Sequence, residues 1–419
     1  MPSESVLDVL IIGAGVIGSS VAMHLARAGV SGIRVVDLDL EGTLSSSELN
    51  AGGVRATFNQ RINIEMSKLS IEYFARHAED MGYRDVGYLW LHKPETFEKA
   101  RAAAKLQHQS GWPVEQWDVS MLRQKIPFID KTSDLAGALF AARDGLVNPN
   151  LVKNHYRAEA RKLGVVFEDR VFIQDSREVS SHKLKVMGLK LPAQLSHEDK
   201  IALYSGAMIA DHPKVPKVEN KFEFTAGIVI NCSGAWASGI AKKLGYESPS
   251  YPLRRQISIF DCREVDLSRY GMIVDTSGVY FHPEATNGLA GFATHLAEDR
   301  GFNYEYGGEE FFMEHIWSPL YERSTSFEKL KHVTGWAGIY EVSPDESAIL
   351  GRASRGSRTQ FNQVYEAHSF SGHGLMHCHA AGIALAELIT RERFETIDVS
   401  VLSADRFAAG KLIHESAVI

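Results

Sequence analysis

Cysteine is scarce in this chain: Cys232, Cys262 and Cys378 stand far apart in 419 residues and form no CxxC pair. That spacing excludes a disulfide framework and a cysteine-based structural zinc site. Long apolar runs are missing too, because none reaches the ~18 consecutive apolar residues that a membrane-spanning helix needs. Basic runs are absent, and 45 Lys and Arg are outnumbered by 52 Asp and Glu, so the net charge of −7 argues against nucleic-acid binding. Neither internal repeats nor low-complexity tracts occur. No basic segment precedes the first apolar run at Val6, so the expectation is a protein without a secretory or transit leader, cytoplasmic by default.

What is present begins at once. A strand-like run, Val6 to Ile12, leads into Gly13-Ala14-Gly15-Val16-Ile17-Gly18, and Asp37 follows 19 positions after the last of these glycines. The first glycine allows a tight strand-to-helix turn, the second lets backbone approach a pyrophosphate, and the third lets helix pack on strand. The helix expected from Val16 to Ala28 points its amides and positive dipole end at the phosphates. A second strand, Gly32 to Asp37, puts the Asp37 carboxylate where it can hydrogen-bond both hydroxyls of an adenosine ribose. The same charge would repel a 2′-phosphate. Asp39 is the alternative ribose ligand, ranked below Asp37.

Further along, Gly42 to Asn59 is a polar loop of small residues, with Ser45, Ser46 and Ser47 followed by Asn50-Ala51-Gly52-Gly53-Val54-Arg55. Hydroxyls, glycines and one arginine suit a backbone that clasps a ligand. Helices are expected near 63–80, 95–110 and 149–163, and strands near 87–92, 136–141 and 165–167. From Ile173 to Phe224 short alternating segments such as Lys183–Val186 and Ile201–Tyr204 suggest an extended β-meander. The apolar run Ala226 to Asn231 then turns at Cys232-Ser233-Gly234-Ala235-Trp236 into a helix, a second strand-glycine-helix junction able to serve the same cofactor. The last third holds Gly335 to Tyr340, a turn at Ser343-Pro344-Asp345, and Ser371-Gly372-His373-Gly374 opening a helix to Ile389. Among seventeen histidines the tightest group is His373, His377 and His379, which lacks a nearby carboxylate and reads as packing, not as a metal site.

GAGVIG, NAGGVR, VINCSGAW, GWAGIYEVSPDESAILG and SFSGHG, in this order, resemble the FAD-dependent D-amino-acid oxidase (DAO) superfamily, most of all the branch of sarcosine oxidase and dimethylglycine dehydrogenase. The resemblance runs from Val9 to about Phe407. It implies an α/β fold in which a discontinuous FAD-binding Rossmann-like domain (1–85, 145–235 and 330–419) is interleaved with a mixed β-sheet substrate domain (86–144 and 236–329). The segment 174–222 is longer than the family pattern. The resemblance places Gly13, Gly15 and Gly18 at the pyrophosphate, Asp37 at the ribose, Ser45, Ser46 and Arg55 beside the flavin, and Ser233, Gly234 and Trp236 along the adenosine and flavin side. It also assigns Val16, Ile17, Leu38, Asn50, Ala51, Gly52, Gly53 and Val171 to the cofactor site. Gly338, Tyr340, Gly372, His373, Gly374, Leu375 and Met376 complete the cofactor set. A helix N-terminus near the flavin N1 and C2 carbonyl would favour the negative charge of the reduced state.

For chemistry, the resemblance implies hydride transfer from a carbon bearing an amine to flavin N5, with Tyr280 as an active-site tyrosine. His282, two residues along the same strand, would share its face, and Arg55 could add charge at the site. Three departures narrow this expectation. Gly338 replaces the cysteine that holds FAD covalently in monomeric sarcosine oxidase, and 42–55 has no histidine, so FAD should be noncovalent. No lysine lies between Lys243 and Lys329, where oxidases of this type carry the lysine that favours reaction with O₂. A dehydrogenase with another, unidentified electron acceptor is therefore expected. Met376 replaces a carboxylate-binding lysine, leaving Arg254 and Arg255 as substitutes and the amine or amino-acid substrate open. A flavin-binding assembly factor, and a subunit that needs a partner protein, stand as competing readings.

Overall fold

The computed structural model describes residues 4–206, 221–293, 297–354 and 360–417. Two eight-stranded sheets organise it. The path of the first sheet runs Ile349–Arg352, Val364–His368, Lys221–Asn231, Glu4–Ile12, Ile33–Val36, Val166–Glu168. Its inner strands are parallel, with Glu4–Ile12 between Lys221–Asn231 and Ile33–Val36. Val9, Leu10 and Ile11 are fully buried, because helices cover both faces of a parallel sheet and an unbroken apolar run is then the stable choice. A hairpin, Val171–Ser180 with Lys183–Lys190, extends the sheet beside Lys221–Asn231.

The second sheet is mixed and runs Lys331–Val342, Tyr251–Asp261, Asn287–Phe292, Tyr280–Glu284, Met272–Val274, Tyr88–His92, Gly137–Ala141, Glu115–Trp117. Its outer face buries Phe260, Phe281, Phe312 and Phe327. The strand Lys331–Val342, which the resemblance assigns to the FAD-binding pieces, belongs to this sheet instead. It pairs with Tyr251–Asp261 from Tyr251 opposite Val342 to Asp261 opposite Lys331. Backbone pairing of that length makes this strand an edge of the mixed sheet, while its Tyr340 and Glu341 still line the cofactor cleft.

The small residues of the closing helix, Gly374–Arg391, do their work against another helix. A Cβ on Gly382 would lie 2.4 Å from Ser20 Oγ, so only glycine admits the close crossing with Val16–Arg27. The segment read as a β-meander is half right. Lys183–Lys190 is a strand, but Ile201–Tyr204 lies in a helix, His197–Gly206. Ser196 Oγ accepts from Asp199 N at 3.0 Å and Asp199 Oδ2 accepts from Ser196 N at 3.3 Å. This reciprocal cap, visible as Ser-His-Glu-Asp, was the overlooked signal for a helix start. Residues 207–220 of the long segment lie outside the described residues.

Candidate functional site: a dinucleotide cleft and an adjoining pocket

The glycine turn has the geometry its spacing demands. Gly13 has φ +106°, and a Cβ there would stand 2.2 Å from the Cys232 carbonyl oxygen, so the two strand-glycine-helix junctions touch back to back. Gly18 packs against the Gly13 carbonyl. A Cβ on Gly15, which lines the cleft, would meet only the Ser47 hydroxyl, at 3.1 Å. Ser47 Oγ accepts from Val16 N at 3.0 Å. Arg157 holds the turn from behind, donating from Nε to the Ala14 carbonyl at 3.1 Å and from Nη1 to the Leu40 carbonyl at 2.5 Å.

Asp37 is fixed by two backbone amides, Ala14 N at 2.5 Å and Asp39 N at 3.0 Å. Burial pushes its carboxyl up, while these two N–H donors and Arg157 oppose the shift. Asp37 lines the cleft. Asp39 turns away, its oxygens occupied by Glu41 N, the Thr43 hydroxyl and the Lys200 ammonium at 3.1 Å. Geometry thus separates the two ribose candidates. Asp37→Ala is expected to weaken FAD binding about 30-fold, from the ~2 kcal/mol of a hydrogen bond to a charged group. Flavin release measured by fluorescence on dilution checks it, and unchanged affinity counts against Asp37 as the anchor.

Both strand-glycine-helix junctions open onto one cleft. Gly13, Gly15, Val16 and Ile17 line it at the first helix N-terminus, with Leu38 beside Asp37 and Val171 beyond. Ser233, Gly234 and Trp236 come from the second junction, and Ser45, Ser46, Asn50 and Tyr340 from the loop and the long strand. Gly372, Gly374 and Leu375 bring the N-terminus of the eighteen-residue helix Gly374–Arg391 to the same space. An elongated cavity between two helix N-termini, with a fixed carboxylate at one and a glycine cradle at the other, fits FAD.

Several candidates lie elsewhere. Gly52 and Gly53 pack on the Val147 carbonyl and the Tyr88 hydroxyl. Met376 is buried in the core of the first domain. Arg55 is also buried, donating to the carbonyls of Thr57 (2.8 Å) and Ala417, with its guanidinium over the Phe58 ring. His373 packs edge-on against Phe58 with ring centroids 4.6 Å apart, and burial, then Arg55, keep it neutral. None of these five lines the cleft. His379 stacks on Tyr73 instead of joining His373 and His377, so the three histidines do not converge.

Residues missed in the sequence also line the cleft. Ser47 extends the serine run, and Tyr204 arrives on the misread helix, where its carbonyl accepts from Trp236 Nε1 at 2.7 Å. Glu341 follows Tyr340, and burial pushes its carboxyl up to about 7. Its only sequence signal was its place beside a marked residue.

A smaller pocket shares Ser46, Asn50 and Tyr340 with the cleft and adds Ala51, Gly338, Tyr280 and Arg255. Burial raises the hydroxyls of Tyr280 and Tyr340 above their ordinary values, so both stay protonated. Strand alternation decides between the arginines. Arg255 points into the pocket, 5.6 Å from the Tyr340 ring centroid, while Arg254 pairs with Asp299 at 2.8 Å on the other side. His282 does not line the pocket. Its two ring nitrogens face the carbonyls of Pro283 and Ala51, each at 2.8 Å, and it clamps the ligand loop to the strand Tyr280–Glu284.

Comparison with known proteins agrees with this geometry. A family model described as FAD dependent oxidoreductase (DAO) matches residues 8–388. FAD-dependent oxidoreductase domain-containing protein 1 of Bos taurus is 27% identical over 449 residues, covering 98% of this chain and 87% of that protein. Mitochondrial dimethylglycine dehydrogenase of Homo sapiens is 24% identical over 411 residues, covering 91% of this chain and 42% of that one. The crystal structure of L-proline dehydrogenase from P. horikoshii superposes with a TM-score of 0.80 at 21% identity, over 99% of this chain and 100% of the other, which shows a shared fold. With the family matched across most of its length and the cleft built as that family requires, the chain belongs to the DAO family of FAD-dependent oxidoreductases.

Proposed function

We propose that this protein oxidises the C–N bond of a secondary or N-methylated amino acid, with noncovalent FAD, as a dehydrogenase. The observation that carries the reading is the lining of the adjoining pocket, which joins a cationic Arg255 and two protonated tyrosine hydroxyls to the cofactor cleft through shared walls. Bound FAD supplies the oxidising power, accepting a hydride from the carbon that bears the amine. The chain's own residues then have three tasks. Arg255 holds a carboxylate, as a guanidinium fork does well. Tyr280 and Tyr340 donate hydrogen bonds without carrying charge. No carboxylate lines this pocket among the described residues, so the field of Arg255 disfavours a protonated amine and leaves the neutral form that can release hydride. Water hydrolyses the resulting imine.

Noncovalent attachment is supported at two positions. Gly338 offers no nucleophile, and burial holds the Cys232 thiol at the cleft wall far above its ordinary value, hence protonated and unreactive. The dehydrogenase reading is supported by the pocket lining, which among the described residues includes no lysine, while Lys243 lines the cofactor cleft. Among the similar proteins, the names dimethylglycine dehydrogenase and L-proline dehydrogenase accord with this reading, whereas D-amino acid dehydrogenase and glycine oxidase name other amino-acid substrates.

Anaerobic titration of the FAD-loaded protein with sarcosine, dimethylglycine, L-proline and D-amino acids tests the proposal. Bleaching of the flavin band near ~450 nm by one of the N-substituted amino acids is the expected result. In air the same substrate should yield little H₂O₂ until an artificial acceptor is added. A flavin unmoved by the whole panel overturns the enzymatic reading in favour of an assembly role, and rapid stoichiometric H₂O₂ overturns the dehydrogenase assignment.

A further inference from the structure

A second cluster of chemistry-bearing side chains lies outside the cleft and its pocket. The helix Arg61–Arg76 ends at His77, and the short helix Ala78–Met81 begins there, so the chain turns a corner carrying His77 and Asp80. The helix Pro149–Lys162 passes this corner and presents His155. Asp80 Oδ2 lies 3.4 Å from His155 Nδ1 and 3.7 Å from His77 Nδ1. All three donor atoms fall within 4.8 Å of one another.

Two donors bound to one tetrahedral zinc ion at ~2.0–2.1 Å stand ~3.4 Å apart. Both separations from Asp80 already approach that value, and the surface side chains of His77 and Asp80 can close the rest by rotation. Two imidazoles and one carboxylate suit Zn²⁺ and leave a fourth position for water, whereas Mg²⁺ and Ca²⁺ call for oxygen donors.

A second feature supports ligation. The Tyr73 hydroxyl lies 3.0 Å from His155 Nε2. With the proton on Nε2 donated to the tyrosine oxygen, Nδ1 keeps its lone pair toward Asp80 and His77, the outer-shell arrangement that fixes the tautomer and orientation of a metal-bound histidine. The His155 side chain is only 8% exposed, so packing sets its position.

We propose that His77, Asp80 and His155 form a zinc site that ties the corner at His77 to the helix Pro149–Lys162. That helix also carries Arg157, which holds the Ala14 and Leu40 carbonyls around the cofactor turn. The metal would therefore brace the wall of the cleft from outside without entering the flavin chemistry.

The test is isothermal titration of ZnCl₂ into the FAD-loaded, chelator-treated protein, with thermal denaturation run in parallel. One saturable equivalent and a higher Tm in zinc are expected, because a ligand of the folded state stabilises it. His155→Ala and Asp80→Asn should each weaken zinc binding at least tenfold and abolish the rise in Tm. Tyr73→Phe should weaken binding severalfold, and His108→Ala, at an exposed site elsewhere, should not change it. Asp80 is exposed, so its variant keeps the test valid if His155→Ala fails to fold, and flavin absorbance reports folding in each case. Absence of a saturable one-to-one site, or zinc affinity unchanged in the folded variants, overturns the proposal.

Discussion

Arg255→Ala is expected to lower kcat/KM for the amino-acid substrate about 100-fold, which corresponds to ~3 kcal/mol and sits within the ~2–5 kcal/mol lost when one partner of a buried charge pair is removed. The reason is local. Among the described residues Arg255 is the one cationic side chain that lines the adjoining pocket, so the carboxylate of the proposed substrate has no substitute partner within it. An amine of the same size without a carboxylate should lose less than threefold, because its transition state never used the guanidinium. Arg255→Lys should recover part of the loss but not all, since an ammonium cannot offer the two parallel donors of a fork. Steady-state kinetics on the three proteins, with flavin content confirmed by absorbance, decide the matter. Equal losses for both substrates would mean that Arg255 shapes the pocket instead of binding the carboxylate.

The largest stability effect is expected at Asp345. Arg406 grips its carboxylate bidentately, Nε to Oδ2 at 2.7 Å and Nη2 to Oδ1 at 2.8 Å, and Asp345 is fully buried with Arg406 only 5% exposed. Arg406 also donates to the Leu402 and Ser347 carbonyls, and Asp345 accepts from Ser343 Oγ and Ile413 N. Asp345→Ala strands the guanidinium among these groups and should cost ~3–5 kcal/mol, read as a drop of several degrees in Tm. Burial alone would raise the Asp345 carboxyl, but the Arg406 and Ile413 donors prevail and hold it below the ordinary range. A carboxyl lowered on folding contributes stability above its unfolded value of ~3.9 and loses it as pH falls through the folded value. The gap between wild type and variant should therefore be full at pH 6–7 and shrink only in acid below ~4. A gap that closes between pH 5 and 7 would point to another group.

That ion pair also shows how far the sequence could be read. The turn Ser343-Pro344-Asp345 lies within one of the family-like motifs and Arg406 near the end of the resemblance, yet nothing in their separation of 61 residues announces that they meet. A related case is Glu415. Its carboxylate accepts from Asn59 N, Gln60 N and Asn63 Nδ2, each at 3.1 Å, and so caps the helix Arg61–Arg76 from the far end of the chain. Caps made locally are legible, as the Ser196 and Asp199 pair should have been. Caps made at a distance are not.

The cofactor cleft divides the same way. That Gly13, Gly15 and Asp37 come together at the cleft was legible because they belong to one strand-helix-strand unit, where spacing along the chain equals position in space. The place of the long strand Lys331–Val342 in the mixed sheet was not, because pairing partners are chosen by backbone register across the molecule, and it pairs with Tyr251–Asp261. Arg55 and His282 carried the right chemistry for a site, but packing turned both toward backbone carbonyls. By itself the sequence determined the family, the α/β class and the dinucleotide end of the cleft, since those depend on local spacing and on side-chain volume at glycines. Only the tertiary structure decided that Arg255 and not Arg254 enters the second pocket, that Tyr204 reaches the cleft, and that His77, Asp80 and His155 meet. Those outcomes depend on which faces of distant elements pack together, and burial energy, unlike spacing, acts without regard to distance along the chain.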